Sequence, residues 1–218
     1  MKRALDLFCG VGGATRGLQM AGYHVTGVDI RPQPRYIGDK FVQADATKLM
    51  IIPVGGSFDL IWASPPCQAY TRARSLHKNI KHPELIEPVR EWLRKSGCPY
   101  IIENVPGAPL IAPVQLCGSA FGLHVYVQGV QYELRRHRLF ESNCPLKGVE
   151  CNHILPVIGI YGHGESKAMR GKRGFQISTL APRREVMRMP WASSREIAEA
   201  IPPVYSEYLA RQILNVTS

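Results

Sequence analysis

Acidic residues are scarce in this chain: 17 Asp and Glu against 27 Lys and Arg leave 218 residues with a formal charge of +10. That imbalance excludes an acidic, solvating protein and makes a polyanionic partner the economical expectation. Long apolar runs are missing as well. No stretch approaches the roughly 18 consecutive apolar residues of a membrane span, and the short apolar segment after Met1-Lys2-Arg3 soon meets glycines. Neither secretion nor membrane insertion is expected, and the expected location is the cytoplasm. Cysteine is sparse too. Six thiols, at positions 9, 67, 98, 117, 144 and 151, are too few and too scattered for a disulfide scaffold. Internal repeats and low-complexity tracts are absent. What is present suffices for a core: 45% hydrophobic and 20% charged residues exclude a disordered chain. The length suits one domain, with a small appendage at most.

Short apolar segments at residues 4–8, 23–28, 41–44, 58–63 and 99–103 read as strands. Between the last two, Leu85, Ile86, Val89 and Leu93 recur at helical spacing. Strands alternating with helices imply a mostly parallel α/β sheet covered by helices on both faces, with function at the carboxyl ends of the strands. After residue 142 the alternation degrades, and a basic, glycine-punctuated stretch offers little core. The expected division is 1–142 for the main domain, 143–193 for a loop-rich basic segment, and 194–218 for a closing helical segment. Ser194 and Glu196 resemble a helix start there, Pro202-Pro203 interrupts, and residues 205–213 resume helically. Basic residues concentrate at 71–81, 135–138 and 167–188.

Three strand ends carry chemistry. Asp6-Leu-Phe-Cys-Gly-Val-Gly-Gly13 joins a strand to a helix, and Asp29 closes the next strand; glycines let a ligand approach the backbone and an acid can hold ribose hydroxyls. The same glycines could equally serve a plain turn, since their spacing is not Gly-x-Gly-x-x-Gly. Ser64-Pro-Pro-Cys-Gln68 sets a thiol on a proline-stiffened backbone just before a basic loop, which favours thiolate. A small buried hydrophobe is the alternative for that cysteine. Glu103-Asn-Val-Pro106 ends a further strand, where a partly buried carboxyl can hold a proton near neutrality and donate it to a ring nitrogen. A cap or an ion pair is the alternative for that glutamate.

Together these motifs resemble, in order, those of the cytosine-5 DNA methyltransferase family. The match extends to Asp45-Ala-Thr47 and to Arg136-His-Arg-Leu-Phe140, and it spans residues 6–140. The resemblance implies a Rossmann-like methyltransferase fold and S-adenosyl-L-methionine as cofactor. It places Phe8, Cys9, Gly10, Gly12, Gly13, Asp29, Ile30, Asp45, Ala46 and Pro66 around that cofactor. It makes Cys67 the nucleophile, Glu103 the proton donor, and Arg136 and Arg138 their catalytic partners on one strand face at i, i+2. Gln68, Asn104, Arg72 and Arg74 would contact the substrate.

The chain departs from the family pattern in four places. Leu134 stands where the family usually has glutamine, and Asp29 is shorter than its usual glutamate. Residues 200–205 replace an asparagine-containing segment. The recognition region after residue 142 is much reduced, as in small phage-type members. The expected substrate is DNA, double or single stranded, bound by a monomer. The alternatives are the same chemistry on RNA or a free cytosine nucleotide, or a non-catalytic nucleic-acid-binding relic. Cys144, Cys151 and His153 are three soft ligands that could hold zinc if a fourth came from elsewhere, but their spacing is unlike a zinc finger, so a simple thiol-containing turn with no metal is the expectation.

Overall fold

The computed structural model describes residues 1–49, 56–71, 82–160, 175–176 and 179–217. The chain opens with β1 (Arg3–Leu7), α1 (Gly13–Met20), β2 (His24–Asp29), β3 (Lys40–Gln43), α2 (Ala46–Leu49), β4 (Leu60–Ala63), α3 (Ile86–Ser96) and β5 (Tyr100–Asn104). It continues with β6 (Val114–Leu116), a 3-10 turn at Gly118–Phe121, β7 (His124–Val127), β8 (Val130–Glu133) and β9 (Arg138–Ser142). β10 (Ile158–Gly159), β11 (Phe175–Gln176), α4 (Leu180–Met187), α5 (Ser194–Glu199) and α6 (Pro203–Thr217) complete it. Among the described residues no helix is long and apolar enough to cross a membrane.

The main sheet has seven strands in the order β3-β2-β1-β4-β5-β9-β6. β3, β2, β1, β4 and β5 run parallel, whereas β9 is antiparallel to both β5 and β6. The inner strands are apolar on both faces because helices cover both. Ala4, Leu60, Trp62 and Ile101 point into one core with Leu18 of α1 and Tyr205, Leu209 and Ile213 of α6. Their neighbours Leu5, Leu7, Ile61, Ala63 and Ile102 point into the other, against Val89, Trp92 and Leu93 of α3. This is the expected Rossmann-like architecture, and each of the five parallel strands, β1 to β5, lies within two residues of the segment read from the sequence.

α1 and α6 touch through a glycine. A Cβ on Gly17 would stand 2.0 Å from the Pro203 carbonyl oxygen, so only hydrogen fits, and Ser206 Oγ donates to the Ala14 carbonyl at 2.8 Å across the same contact. On the opposite face Arg90 of α3 is buried and forked onto Glu141 of β9, at 2.7 Å (Nε–Oε1) and 2.8 Å (Nη2–Oε2). Its Nη2 also donates to the Pro109 carbonyl, and Ile111 N–H donates to Glu141 Oε2. Both carboxylate oxygens are thereby satisfied, as a buried charge requires.

The closing segment follows its expected outline. α5 starts at Ser194 as expected, and Ser193 before it is the N-cap of a capping box in which Glu196 Oε2 accepts from the Ser193 N–H at 2.7 Å. The expected interruption falls at residues 200–202, and the helix resumes at Pro203 rather than at 205, because a first-turn residue needs no N–H partner. The stretch read as poor in core also supplies Ile158, Ile160, Val186 and Met187 to the same cluster as Ala4 and Leu18. Interspersed polar residues hid those positions from a periodicity count.

Candidate active site

The carboxyl ends of β1, β2, β4 and β5 open on one edge of the sheet. After β1 the backbone turns sharply. Phe8 adopts a left-handed φ of 61°, followed by Gly10 at 52° and Gly12 at 94°; a left-handed non-glycine residue is a strained conformation typical of binding loops. The turn is held from below and from the side. Gly10 N–H donates to Asp29 Oδ2 at 3.0 Å, and Arg31 N–H donates to Asp29 Oδ1 at 2.9 Å. Trp191 Nε1–H donates to the Val11 carbonyl at 3.2 Å, bringing the segment before α5 back to the loop. A Cβ at Gly10 would meet nothing within 4 Å, so the space beside it is open. Ile30, next to Asp29, is 62% exposed, an unusual place for isoleucine and a fitting ledge for a flat apolar ring. Cys9 is buried, and burial raises its thiol far above the ordinary range, so it is a packing residue.

Beneath the loop Asp6 is fully buried. Thr15 Oγ1–H donates to its Oδ2 at 2.5 Å, while Oδ1 has no partner. Burial, reinforced by the charges of Asp29 and Glu103, raises its pKa from 3.8 to about 7 against the Thr15 bonds that lower it. Asp45 caps the short α2: its Oδ1 accepts from Thr47 N–H at 3.0 Å and from Thr47 Oγ1–H at 2.6 Å, and these bonds lower its pKa. Ala46 beside it is buried.

The reactive pair sits on neighbouring strand ends. Cys67 follows β4, and Glu103 is the penultimate residue of β5, which pairs with β4. Asn104 Nδ2 donates to the Pro65 carbonyl at 2.9 Å while its Oδ1 accepts from Val105 N–H at 2.9 Å. Its buried amide is therefore a brace between the nucleophile turn and β5. Pro66 is half-buried and Gln68 exposed. On the antiparallel β9, Arg138 stands two residues from Phe140, the register partner of Glu103, and its Nε lies 3.0 Å from Glu103 Oε1. Burial raises the Glu103 pKa, and Arg138, Ser64 and Arg136 oppose that rise. Burial likewise pushes the Cys67 thiol up; Arg138 draws it down, Glu103 pushes it further up, and Arg136 draws it down. Thiol and carboxyl are thus coupled: protonating Glu103 removes a charge that disfavours the Cys67 thiolate.

Two residues of this arrangement were not read from the sequence. Trp62 Nε1–H donates to Ser64 Oγ at 2.9 Å, which fixes the hydroxyl that bonds Glu103. Ser64 was visible only as the residue before two prolines, and a strand tryptophan reads as core. The placement of Arg136 on one strand face with Arg138 is corrected. Arg136 precedes β9 with φ 24°, and its buried guanidinium donates to the carbonyls of Ile160 (3.1 Å), Ala198 (2.8 Å) and Ala200 (2.5 Å). It clamps the C-terminal segment and reaches Cys67 and Glu103 through its charge. Cys144 is also separate from Cys151 and His153, which meet Cys117 and His137 instead. Arg72 and Arg74, with residues 72–81 of the expected thiolate-favouring loop and part of the basic stretch at 167–188, lie outside the described residues.

Comparisons with known proteins agree with the architecture. The fold is similar to that of a DNA modification methyltransferase encoded within an E. coli prophage, with a TM-score of 0.63 at 15% identity over 100% of this chain and 99% of that one. It is similar to S. pombe Dnmt2 methyltransferase, with TM-score 0.59, 14% identity, and 100% and 99% covered. For Entamoeba histolytica methyltransferase EhMeth the values are 0.57, 12%, 100% and 99%. At such identities the likeness is one of fold. No curated protein matches the chain. The sequence profile described as C-5 cytosine-specific DNA methylase matches residues 2–109, the part holding the glycine loop, Cys67 and Glu103. Through that region the chain belongs to the C-5 cytosine-specific DNA methylase family.

Proposed function

We propose that the chain transfers a methyl group from S-adenosylmethionine to carbon 5 of cytosine in DNA, with Cys67 as a covalent nucleophile. The observation that carries this reading is the Glu103–Arg138 pair, 3.0 Å apart on adjacent antiparallel strands and electrostatically coupled to Cys67 on the next strand end. The cofactor fits the loop above β1. Open space at Gly10 admits its backbone approach, Ile30 offers an apolar ledge, and Asp29, with one N–H on each oxygen, keeps a second lone pair on each for ribose hydroxyls. When bound, S-adenosylmethionine supplies an electrophilic methyl group.

The chain's residues then make carbon 5 a nucleophile. Cys67 Sγ as thiolate adds to carbon 6 of cytosine, and the displaced electron pair moves toward nitrogen 3, where Glu103 delivers its proton. Arg138 orients Glu103 through Nε and presents its guanidinium to the cytosine carbonyl. Carbon 5 takes the methyl group, a base such as an ordered water removes the carbon-5 proton, and expulsion of Cys67 restores the ring as Glu103 recovers its proton. A cytosine in a polymer must first leave its stack, at a cost of a few kcal/mol that is least for single strands.

The test is trapping. DNA carrying 5-fluorocytosine plus cofactor should give a stable adduct, mapped to Cys67 by mass spectrometry, because fluorine cannot leave as a proton does. Cys67→Ser should form none while still binding cofactor in calorimetry. An active Cys67→Ser enzyme, or an adduct at Cys9, Cys144 or Cys151, overturns the assignment of the nucleophile. Trapping on a matched RNA in preference to DNA overturns the substrate.

A further inference from the structure

Three separate parts of the chain bring four soft donors together. Cys117 follows β6, His137 immediately precedes β9, and Cys151 and His153 lie in the connection to β10. Their ligand atoms all fall within 4.8 Å of one another. Cys117 Sγ is 3.3 Å from His153 Nε2, and Cys151 Sγ is 3.6 Å from His137 Nε2. A tetrahedral ion with Zn–S of about 2.3 Å and Zn–N of about 2.05 Å has S···N edges of about 3.5 Å, N···N edges of about 3.3 Å and S···S edges of about 3.8 Å. The two S···N separations straddle that edge, and every edge fits inside 4.8 Å. The two imidazoles meet edge to face, with centroids 5.2 Å apart and planes at 76°, so each ring nitrogen approaches from its own direction. Two isolated thiol–imidazole hydrogen bonds would explain two pairs of contacts. They would not explain why both pairs share one point.

We propose that Cys117, His137, Cys151 and His153 form a structural zinc site. Two thiols and two imidazoles are a zinc donor set, and four protein ligands leave no open position for catalysis. Binding displaces one proton from each thiol to solvent, so two thiolates balance the charge of the ion. Ser119 Oγ, 3.2 Å from Cys117 Sγ, can then donate its hydroxyl to that thiolate. Burial grades from Cys117, which is buried, to His153, which is exposed, giving the ion an approach from solvent.

The consequence is positional. His137 stands between Arg136, which clamps the C-terminal carbonyls, and Arg138, whose Nη1 donates to the His137 carbonyl at 2.9 Å. Zinc would staple the start of β9 to the end of β6 and to the 143–157 connection, fixing the backbone from which Arg138 reaches Glu103. This consequence rests on the proposed function, whereas the metal site does not.

The experiment reads metal before activity. Full-length protein produced with zinc and freed of loosely bound metal should carry one zinc ion per chain by elemental analysis. Cobalt substitution should give the visible spectrum of a tetrahedral thiolate site. His153→Ala, a change at an exposed position, and Cys151→Ser should each reduce retained zinc from one equivalent to near none under competition with a chromogenic chelator. Cys144→Ser should retain it. Cys117 and Cys151 should resist alkylation with zinc present and react after chelation. The site is overturned if the folded wild type holds no zinc, if both variants keep a full equivalent, or if Cys117 and Cys151 are isolated as a disulfide. Loss of methyl transfer with one zinc ion retained would count against the proposed function only.

Discussion

Asp6 makes the stability of this protein fall as the pH rises. A carboxyl held at about 7 in the folded chain and near 3.8 in the unfolded chain binds its proton more tightly when folded. Its contribution is therefore complete below 3.8 and is lost as the pH rises through about 7. At about 1.36 kcal/mol per pH unit, the whole titration is worth about 4 kcal/mol, of which roughly 2.5 kcal/mol falls between pH 5 and pH 8. Asp6→Asn removes the ionisation and keeps an oxygen for the Thr15 hydroxyl. Its NH2 group inherits the place of the unpartnered Oδ1, at a cost of about 1–3 kcal/mol that does not vary with pH. Urea unfolding of both proteins at pH 5 and pH 8 separates the two effects. The pH difference in the wild type minus that in Asp6→Asn should be roughly 2.5 kcal/mol, with the wild type losing stability at pH 8. Equal pH differences, or a wild type that gains more stability than the variant at pH 8, would refute the burial argument.

Ser64→Ala removes a hydroxyl that bonds the Glu103 carboxylate, an interaction worth roughly 1.5–3 kcal/mol for a charged acceptor; the protonated form should gain about ten- to a hundredfold, and the alkaline limb of the methyl-transfer pH profile should move upward. A limb that stays or moves down contradicts Glu103 as the proton donor. Arg90→Ala leaves the buried Glu141 without its guanidinium and should cost about 3–5 kcal/mol in denaturant unfolding, unless the fold fails altogether; a loss under 1 kcal/mol would mean that the pair contributes little. Gly17→Ala drives a methyl group into the Pro203 carbonyl and should lower the thermal midpoint clearly, as overpacking costs about 1–3 kcal/mol. An unchanged midpoint would show that α6 shifts freely over α1.

The parts of this protein that were legible in its sequence are those whose physics is local. Strands buried on both faces must be apolar throughout, so β1, β2, β4 and β5 stand out between polar turns. The groups at their ends, Asp29, Cys67 and Glu103, follow because a parallel sheet delivers every such end to one edge. The β7–β8 hairpin escaped because its turn, Gln128 at φ 51° and Gly129 at φ 78°, lacks the usual Asn-Gly signature. Without that hairpin, the insertion of β9 between β5 and β6 had no visible cause. Arg136 and Arg138 illustrate the same limit at a single residue. A two-residue spacing puts side chains on one face only if the backbone is extended through both, and Arg136 is not. Its φ is left-handed, and its guanidinium is held by carbonyls of Ile160, Ala198 and Ala200, up to 64 positions away. The four-donor cluster is non-local throughout: Cys151 and His153 announced two ligands, but Cys117 and His137 become partners only once β9 has turned back along β5. What a neighbouring strand does to a residue, more than what the residue is, divides the visible part of this site from the hidden part.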